Sequence, residues 1–434
     1  MPKKVFIFEF VSGGGFNKKE IPTSLLCEGF SMLRSLVNDF EQLGCTISTL
    51  LDRRLNFFSS LLKTDSVSIT LVGEDTEFIH QFKQSVKEVE FCFIIAPEFS
   101  EILKELTQIV EKYNKTVLSI DTSGIALTSS KFKTYEFFQS SKIPTPETHL
   151  IPNKKEYPDP NEVFQHSENI PFPVILKPDD GVGAESIFYF SSKKELKEFF
   201  HKKQNSLESG REYILQSYVS GRDLSISLLN SKRLTEEKEE PFILSVNTQE
   251  IHIKGSKGDS EYFGGLIPAH DHTTLKENII PYLQKMDLNN FFGIFGIDFI
   301  YSAPKIHFIE INPRLTTSYI GLRYALNQNP VELLIHSNKD HINPYDIHVA
   351  RHSIFKRVEL EYIGTKSPQE LQSNVIPTLS NKFHTEFITP PFSLKNEDTH
   401  YSCFIATREK NKKMSLRKQD EIYTTLRDEG FLIY

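Results

Sequence analysis

The sequence predicts an α/β protein of two or three compact units, the first of which is an open parallel α/β domain. Short apolar runs alternate with helical runs over the first 128 residues, which is typical of a parallel sheet covered by helices. Strand-like runs and glycine loops with charged residues at their ends follow. With 434 residues, 38% hydrophobic and 25% charged, the chain is long enough to bury more than one core.

Composition and charge narrow the classes of function. The formal net charge of −7 argues against a general nucleic-acid or membrane-surface role. The four cysteines lie far apart without CxxC spacing, so we expect buried or free thiols in a reducing compartment. The apolar run at 5–11 is too short for a signal peptide and contains Glu9, and no run of about 18 apolar residues occurs. We therefore expect a cytoplasmic protein.

The first predicted strand is VFIFEFV at 5–11, and it ends in a glycine segment at 13–15 before an amphipathic helix at about 23–43. The glycines do not form GxGxxG, so no dinucleotide fingerprint is present. They either let backbone amides approach a small ligand or the neighbouring domain, or form a plain flexible turn. Glu9 is notable, because a carboxylate in a buried parallel strand usually lies near the ligand-facing end.

The rest of the first domain continues the alternation. Strands are predicted at 45–51, 67–72, 91–96 and 116–121, and helices at 75–87 and 99–113. This order implies an open parallel sheet. We place the end of the domain at residue 128, so that it spans 1–128.

A lysine strand followed by a glycine loop marks the second unit. A helix at 130–140 carries Lys131 in its first turn, and a strand ending at Lys177 is followed by Gly181 and Gly183. This pattern suits phosphate, because an ammonium group is a compact charge and glycines let backbone N–H groups approach. The loop lacks GxxxxGKS/T, which excludes a P-loop. A strand-end lysine with a solvated head is the alternative.

The segment LQSYVSGRD at 215–223 joins two further predicted strands. The backbone of QSYV offers donors and acceptors to a purine edge, and Asp223 offers a carboxylate to ribose hydroxyls. An ordinary connection between strands is the alternative.

The segment GIFGIDFIYSAPKIHFIEINPR at 293–314 reads as a hairpin with a turn at 302–304. Period-2 alternation puts Phe308, Glu310 and Asn312 on one face of the second strand. With a three-residue turn, Asp298 lies opposite Phe308 and diagonal to Glu310 on that face. A slip of one residue would separate the two carboxylates.

Two carboxylates and an amide oxygen on one face are ligands that Mg²⁺ accepts while it bridges to nucleotide phosphates. Arg314, two residues after Asn312, adds a positive fork for phosphate oxygens. The alternative is a solvated hairpin face with an incidental Asp, Glu and Asn.

These motifs occur together in an order and spacing that resemble the ATP-grasp superfamily of carboxylate-amine ligases. The motifs are Lys131, LKPDDGVGAES at 176–186, LQSYVSGRD at 215–223, and GIDF and IEINPR within 296–314. The resemblance covers about 130–330, and the domain before it looks like the N-terminal domain that accompanies this catalytic unit. It implies two α+β lobes at 129–205 and 206–335, followed by a small α+β extension at 336–434.

The resemblance also implies a role for each motif residue. Lys177 and Arg314 would be catalytic, and two Mg²⁺ ions, for which Mn²⁺ can substitute, would bind to Asp298, Glu310 and Asn312. The ATP-binding residues would be Lys131, Lys177, Gly181, Gly183, Ala184, Gln216, Ser217, Tyr218, Val219 and Asp223.

The implied reaction begins with phosphoryl transfer from ATP to a carboxylate, because a carboxylate is a poor electrophile until it becomes an acyl phosphate. An amine then attacks, with Arg314 stabilising the oxyanion, and ADP and phosphate are released. The partners would be a small carboxylic acid and an amine, without nucleic acid or membrane. A phosphotransferase with the same nucleotide grip and a non-catalytic nucleotide sensor are the alternatives.

Within the superfamily, FEFVSGGG at 8–15 and EINPRLTTSYIGL at 310–322 are most similar to the tyramine-glutamate ligase group of methanofuran biosynthesis. The acid would then be an amino acid such as glutamate, and Glu9 would pair with a substrate ammonium. The implied substrate residues are Glu9, Gly13, Gly14, Gly15, Thr316, Thr317 and Ser318. In the alternative, Glu9 pairs with a protein cation, and Thr316 to Ser318 cap a helix beginning near Tyr319.

The tail after residue 336 mixes strand-like runs at 349–361 and 401–408 with a helix at 415–429. TPPF at 389–392 is expected to interrupt it. We expect a small α+β extension packed on the catalytic core, either shaping the acceptor pocket or forming a homodimer contact.

Overall fold

The computed structural model describes residues 4–153, 157–181, 187–237, 240–253, 255, 260–337, 342–343, 346–395 and 399–434. In these parts of the chain it forms a five-stranded, a six-stranded and two four-stranded sheets, with helices packed against them. The predicted fold class is confirmed: a parallel α/β unit comes first, and antiparallel α+β units follow.

The N-terminal unit contains a parallel five-stranded sheet in the order β3-β2-β1-β4-β5. Val5, Phe6, Ile7 and Phe8 of β1 are fully buried, as expected for a central parallel strand covered on both faces. The elements are β1 (Lys4–Glu9), α1 (Thr23–Gln42), β2 (Thr46–Asp52), α2 (Ser59–Leu62), β3 (Val67–Val72), α3 (Phe78–Lys87), β4 (Phe91–Ile95), α4 (Ile102–Lys112), β5 (Thr116–Val117) and α5 (Thr122–Thr128).

The glycine segment after β1 forms a single π-helical turn, Val11–Gly15. A Cβ atom at Gly13 would lie 2.5 Å from the Phe8 ring, and one at Gly15 would lie 2.4 Å from the Phe10 ring. Gly14 adopts a φ of 99°, which favours glycine. The glycines are therefore required by packing inside this unit, and the plain flexible turn is not what the structure shows.

The next unit has its own core and an antiparallel sheet in the order β6-β9-β7-β8. Ser130 caps its first helix by accepting a hydrogen bond from the Lys133 backbone N–H, which places Lys131 at the first helical position. The elements are α6 (Lys131–Ser140), β6 (Thr148–Ile151), α7 (Pro160–His166), β7 (Val174–Pro178), β8 (Phe188–Phe190), α8 (Lys193–Lys203) and β9 (Tyr213–Ser217). Because β9 belongs to this sheet, the lobe continues beyond the predicted boundary at 205.

The following unit contains an antiparallel sheet in the order β11-β10-β14-β15, whose buried face joins the hydrophobic core of the N-terminal unit. Gly124 of α5 lies against the Asn290 backbone of this unit. The elements are β10 (Arg222–Asn230), α9 (Lys232–Glu236), β11 (Phe242–Thr248), β12 (Glu250–His252), β13 (Glu261–Ile267), α10 (His272–Leu283), β14 (Gly293–Ser302), β15 (Lys305–Asn312), α11 (Tyr319–Ala325) and α12 (Pro330–Ser337).

The C-terminal part completes a six-stranded sheet that begins in the preceding unit. Its order is β12-β13-β16-β18-β17, with β19 paired to β16, so the predicted boundary at 336 does not separate two sheets. The predicted interruption by TPPF is wrong, because these residues lie in β17 at the sheet edge. The elements are β16 (Ser353–Tyr362), α13 (Pro368–Glu370), α14 (Ile376–Lys382), β17 (Phe387–Phe392), β18 (His400–Ala406), α15 (Lys412–Asp428) and β19 (Phe431–Ile433).

Helix α1 connects this last sheet to the N-terminal unit. Arg34 donates hydrogen bonds to the backbone carbonyls of Phe387 and Ile388 at 2.9 and 2.5 Å, and Ser31 hydrogen-bonds Thr389 at 2.7 Å. One helix thus contacts the first and last parts of the chain. Within the described residues, no helix has both the length and the apolarity that crossing a membrane requires.

Candidate active site

The hairpin of β14 and β15 brings the two predicted carboxylates together by a different register from the one expected. Its turn has two residues rather than three, because Ser302 pairs with Lys305. A β-bulge at Ile309 then shifts the register of the two strands by one residue, so that Asp298 lies directly opposite Glu310.

The bulge also corrects the predicted face. Phe308 pairs with Phe299 on the core side, and their ring centroids are 6.1 Å apart, whereas Glu310 pairs with Asp298 on the other side. Asn312 pairs with Gly296, two residues from Asp298, and therefore lies on the carboxylate face. The three predicted metal-binding residues share one face without Phe308.

That face lines a cavity of about 610 Å³ between the units. Most predicted site residues line it, and the structure thus gathers residues that are up to about 310 positions apart in the sequence. The predicted residues in its lining are Glu9, Lys131, Lys177, Gln216, Ser217, Tyr218, Val219, Asp223, Asp298, Glu310, Asn312, Arg314, Thr316, Thr317 and Ser318.

The candidate metal site consists of two carboxylates and an amide. Asp298 accepts hydrogen bonds from the Asn312 and Gln249 side-chain amides, both at 3.1 Å. Because Asn312 uses its NH₂ group for Asp298, its carbonyl oxygen is available as a ligand. In the described parts of the chain, no three His, Cys, Asp or Glu residues cluster as a metal site, so the third ligand would be this amide oxygen. The donor set is of the all-oxygen kind that Mg²⁺ binds.

Three cations surround these carboxylates. Lys131 Nζ lies 3.7 Å from Glu310 Oε2 and donates to the Gly181 carbonyl at 3.2 Å. Arg314 donates from Nε to Glu98 at 3.0 Å and from Nη1 to the Leu315 carbonyl at 3.1 Å. Glu98 was not singled out in the sequence, and it holds the guanidinium in place.

Burial and neighbouring charges shift the pKa values of this group. Burial lowers the pKa of Lys177 to about 8, with Glu310 opposing and Lys131 adding to the shift. Burial, and then the adjacent Glu310, raise the pKa of Asp298 to about 7. Burial alone would raise the pKa of Glu310, but Lys131, Lys177 and Arg314 hold it below its usual value. A cation bound between the carboxylates would favour the ionised form of Asp298.

The predicted ATP-binding glycine loop is described by the structure at Gly181. Gly181 adopts a φ of 136° and lines an adjoining cavity of about 350 Å³, which shares Lys131 and Lys177 with the first. A Cβ atom at Gly181 would lie 2.8 Å from Arg211, so glycine is needed there. Gly183 and Ala184 lie outside the described residues.

The predicted adenine segment runs along the other cavity wall. Gln216 is buried and donates to Thr148 at 2.8 Å. The Ser217 and Tyr218 backbone N–H groups already donate to Glu147 and Pro173 at 2.9 Å, so the adenine prediction depends on the remaining backbone groups. Asp223 lines the cavity, and burial raises its pKa.

Glu9 also lines the cavity, and its carboxylate accepts hydrogen bonds from the turn that follows it. It accepts hydrogen bonds from the Val11 N–H at 2.9 Å and from the Ser12 N–H and hydroxyl at 2.7 and 2.6 Å. Burial raises its pKa to about 7, although these donors oppose the shift. Among the described residues no ion pair to Glu9 is found, so that part of the chain does not support the alternative in which Glu9 pairs with a protein cation.

The substrate prediction for Gly13, Gly14 and Gly15 does not agree with their placement. They are absent from the described lining of the cavity and pack against Phe8, Val72 and Phe10. Their role is to form the turn whose N–H groups bind the Glu9 carboxylate.

Thr316, Thr317 and Ser318 line the cavity through a short network of hydroxyl groups. Thr317 donates to Glu28 at 2.9 Å, and Thr316 and Ser318 hydrogen-bond each other at 2.7 Å. The Ser318 side chain makes no capping hydrogen bond to α11, so the side-chain capping alternative is wrong.

Several charged or polar residues of this cavity and its margin were not predicted from the sequence, and four of them contact the predicted site residues or each other. Glu28 lies in the middle of α1, Glu98 follows β4, Gln249 follows β11, and Arg357 lies in β16. Glu28, Gln249 and Arg357 line the cavity, whereas Glu98 holds Arg314. None belongs to a local motif. The signal that points to Glu98 is its place at the carboxyl end of a parallel strand, as with Glu9.

Family comparisons agree with this architecture. Residues 128–318 match the ATP-grasp domain, and residues 45–125 match the pre ATP-grasp 3 domain. The chain belongs to the ATP-grasp superfamily, and it is an ATP-dependent carboxylate-amine ligase.

Among relatives, the chain is similar to the tyramine–L-glutamate ligase of Methanocaldococcus jannaschii. The two are 26% identical over 335 residues, which are 76% of this chain and 88% of that protein. The D-alanine–D-alanine ligase of Fusobacterium nucleatum is 27% identical over 195 residues, 43% of this chain and 56% of that protein.

A solved structure confirms the fold at low sequence identity. The biotin carboxylase domain of Hydrogenobacter thermophilus 2-oxoglutarate carboxylase has a TM-score of 0.67 at 13% identity, covering 100% of this chain and 91% of that one. That structure is a dimer in complex with MgADP, ADP and bicarbonate.

Proposed function

We propose that the protein uses MgATP to phosphorylate the carboxylate of a small acid and then transfers the acyl group to an amine in the cavity described above. The observation that carries this proposal is the opposed pair Asp298 and Glu310, which lies in the same cavity as Lys131, Lys177 and Arg314. Such an arrangement suits a nucleotide triphosphate with its metal, because carboxylates bind the metal and cations bind phosphate oxygens.

Asp298, Glu310 and Asn312 would hold Mg²⁺. Their side chains supply enough oxygen atoms for two ions, and Mn²⁺ could substitute. Bound there, the metal would bridge phosphate oxygens and offset their charge. Lys177 would bind the transferring phosphoryl group as a point charge, and Lys131 would bind a neighbouring phosphate while tethering the Gly181 backbone. Gly181, Gly183 and Ala184 would cover the phosphates, with Gln216 to Val219 along the adenine and Asp223 on the ribose.

Arg314 would stabilise the oxyanion that forms when the amine attacks the acyl phosphate. Its side chain is only 11% exposed, and Glu98 fixes its orientation at 3.0 Å. A pre-oriented donor costs no reorganisation when the charge develops. Burial would lower the pKa of Arg314, but Glu98 and Glu310 raise it, so the group stays charged.

We extend the proposal to the substrate through the similarity to tyramine–L-glutamate ligase. The acid would be an amino acid such as glutamate, and the amine would have an apolar body. The wall next to Glu9 suits such an amine, because it is lined by Leu25, Met32 and Ile95. Glu9 would face the ammonium group, with Thr316 to Ser318 contacting the acid.

The test is whether ADP release requires both substrates. We expect ADP to form with L-glutamate plus tyramine and to stay near background with either one alone. ADP release with the acid alone, together with a stable phosphorylated acid, would indicate the phosphotransferase instead. ATP binding without ADP formation under any combination would indicate the nucleotide sensor.

The amine assignment has its own test. Wild type and Glu9→Gln are compared with a panel of amines at saturating L-glutamate. We expect aryl amines such as tyramine to be the best acceptors and their KM to rise in Glu9→Gln. If tyramine forms no more ADP than water does, the aryl amine assignment is wrong, whereas other acceptors can still support the ligase.

We also propose a division into an N-terminal unit and two catalytic lobes, with the first lobe extended through β9, and the cellular state that the sequence suggested. The separate core of the first lobe is consistent with a body that closes on ATP. The four cysteines are buried and form no disulfide, as expected in the reducing cytoplasm. A homodimer would be detected by light scattering during size-exclusion chromatography.

A further inference from the structure

A buried pair of opposite charges lies in the cavity wall, apart from the cations assigned to phosphate. Glu28 of α1 and Arg357 of β16 both line the cavity, and Glu28 Oε1 lies 3.4 Å from Arg357 Nε. The Arg357 side chain is only 9% exposed. The pair therefore joins the N-terminal unit to the C-terminal sheet in the wall of the cavity.

Arg357 is held firmly but is not fully hydrogen-bonded. Nη1 donates to Glu359 at 2.7 Å, Nη2 donates to the Tyr262 carbonyl at 3.1 Å, and Cζ lies 5.4 Å from the Phe263 ring centroid. Nε has no hydrogen-bond partner among the described residues. A guanidinium has five N–H donors, so the fixed fork keeps donors for a further acceptor.

The Glu28 carboxylate is also held in place, but one of its oxygens accepts no close hydrogen bond from the described residues. Thr317 donates to Oε2 at 2.9 Å, whereas the one contact of Oε1 within the described part of the chain is the 3.4 Å ion contact with Arg357. Burial raises the pKa of Glu28, and Arg357, Thr317 and Arg314 oppose that shift. The hydrogen bond from Thr317, three residues after Arg314, places this carboxylate near the proposed acyl-transfer centre. A buried pair with a structural role alone would complete its mutual hydrogen bonds, because unpaired buried charges are costly.

We infer that Glu28 and Arg357 form a binding site for the zwitterionic head group of an α-amino acid, with the ammonium on Glu28 and the carboxylate on Arg357. The inference rests on the proposed function, and it assigns a substrate class to that site. Charges of both signs meet complementary partners, which offsets the desolvation of each. Because Arg357 occupies the α-carboxylate, the phosphorylated carboxylate must be a second one, so the substrate is an amino acid with an acidic side chain.

The test separates the two halves of the head group with three acids. L-glutamate carries both groups, 4-aminobutyrate lacks the α-carboxylate, and glutarate lacks the ammonium. Hydroxylamine serves as a general acceptor in the presence of MgATP, so that the assay does not depend on the natural amine. The measured quantity is kcat/KM for hydroxamate formation with each acid.

In wild type we expect L-glutamate to be preferred over each analogue by at least about 100-fold, as a site built for a polar group rejects a substrate that lacks it. In Arg357→Gln the preference over 4-aminobutyrate should fall below about 10-fold, while the preference over glutarate remains. In Glu28→Gln the opposite pattern is expected. Arg357→Lys keeps the charge but loses the planar fork, and it should be intermediate.

Two matched variants control for position. Lys356→Met changes the neighbouring cation of β16, which pairs with Glu250 at 2.8 Å and is absent from the described cavity lining. Glu41→Gln changes a carboxylate of α1 that accepts a hydrogen bond from Ser66 at 2.6 Å. Both should keep the wild-type preferences. Thermal unfolding establishes that every variant is folded.

The possible failures are distinguishable. If wild type forms no hydroxamate with any acid, the proposed function is wrong. If wild type is active but Arg357→Gln and Arg357→Lys keep both preferences, the head-group site is wrong and the ligase stands. Efficient hydroxamate formation from L-alanine, which has a single carboxylate, would also overturn the head-group site.

Discussion

Two groups of charged residues line the cavity, and they are built in different ways. We call them its phosphate end and its substrate end. The phosphate end has three cations around two opposed carboxylates, and most of these groups come from short motifs in the two lobes. The other end has Glu9, Glu28 and Arg357, which come from a strand end, a helix centre and a late strand. Both ends bury charge, but only the first repeats a pattern that a reader of the sequence can recognise.

The first end is proposed to bind ATP and metal, and the second end is proposed to select the acid and the amine. Phosphate and metal are the same for every ATP-dependent ligase, so a fixed local geometry is sufficient at that end. The identity of the acid and the amine is a property of this particular protein, and it depends on surfaces contributed by separate units. Variants at the first end should therefore affect all substrates alike, whereas variants at the second should change their ranking.

The largest effect is expected for Glu310→Gln at the phosphate end. Removing one of the opposed charges should lower kcat for ADP formation roughly 1,000-fold with every substrate, because metal and phosphate lose their fixed partner. Circular dichroism should show an unchanged fold. Glu277→Gln, on the exposed face of α10, is the control and should keep wild-type turnover. Normal turnover in Glu310→Gln at ordinary Mg²⁺ would contradict the metal assignment.

The next effect concerns Lys177→Met. A point charge on the phosphates acts in the ground state and in the transition state, so ATP affinity and kcat should both fall, each by about 10- to 100-fold. Nucleotide affinity is measured by titration calorimetry and turnover by ADP release. The control is Lys193→Met, a more exposed lysine of the same lobe that pairs with Glu168 at 2.9 Å. Unchanged affinity and rate would make Lys177 a strand-end lysine.

A smaller effect is expected on the pH dependence of Tm, to which two carboxyl groups with raised pKa values contribute. The pKa of Glu9 is raised from 4.5 to about 7, and the pKa of Asp298 is raised from 3.8 to about 7. In each case the folded state therefore binds the proton more tightly than the unfolded state. Their stabilising contribution is present at low pH and is lost as the pH rises through about 7. We therefore expect the Tm of the metal-free protein to decrease between about pH 5 and pH 8.

The same measurement separates the two ends. Glu9→Gln should make the decrease in Tm shallower with or without Mg²⁺. Mg²⁺ with a non-hydrolysable ATP analogue should reduce the share that comes from Asp298, because metal binding favours the ionised carboxylate. A pH dependence that Glu9→Gln leaves unchanged would show that Glu9 has an ordinary pKa.

The smallest effect on activity is expected for Gly14→Ala. Its φ of 99° and a Cβ atom 2.9 Å from Val72 predict a loss of about 1 to 3 kcal/mol in the free energy of unfolding, with unchanged kcat for the folded fraction. Gly44→Ala is the control, since its φ is 74° but nothing lies within 4 Å, and it should lose only about 1 kcal/mol. A raised KM for the acid with normal stability would instead make the glycine segment a substrate loop.

The sequence was sufficient for the parallel first sheet and for the identity of the phosphate-end residues. Buried parallel strands are continuous apolar runs. Lys131 begins a helix, Lys177 stands near a strand end before a glycine loop, and Asp298 follows Gly296 within a β-rich run. Each of these local patterns lies within a stretch of about 20 residues. The register of the hairpin was not among them, because a bulge at Ile309 leaves no mark in a simple alternation.

The sequence by itself thus determined the class of fold, the nucleotide motifs and the placement of two carboxylates on one face of a hairpin. Only the tertiary structure decided that Glu28 and Arg357, 329 positions apart, face the same cavity and that the last sheet begins before residue 336. The physical reason is that strand and helix periodicity depends on near neighbours, whereas a cavity wall depends on how separate units pack. The contact between Glu28 and Arg357 exists because α1 lies against the C-terminal sheet, and no local pattern records that packing.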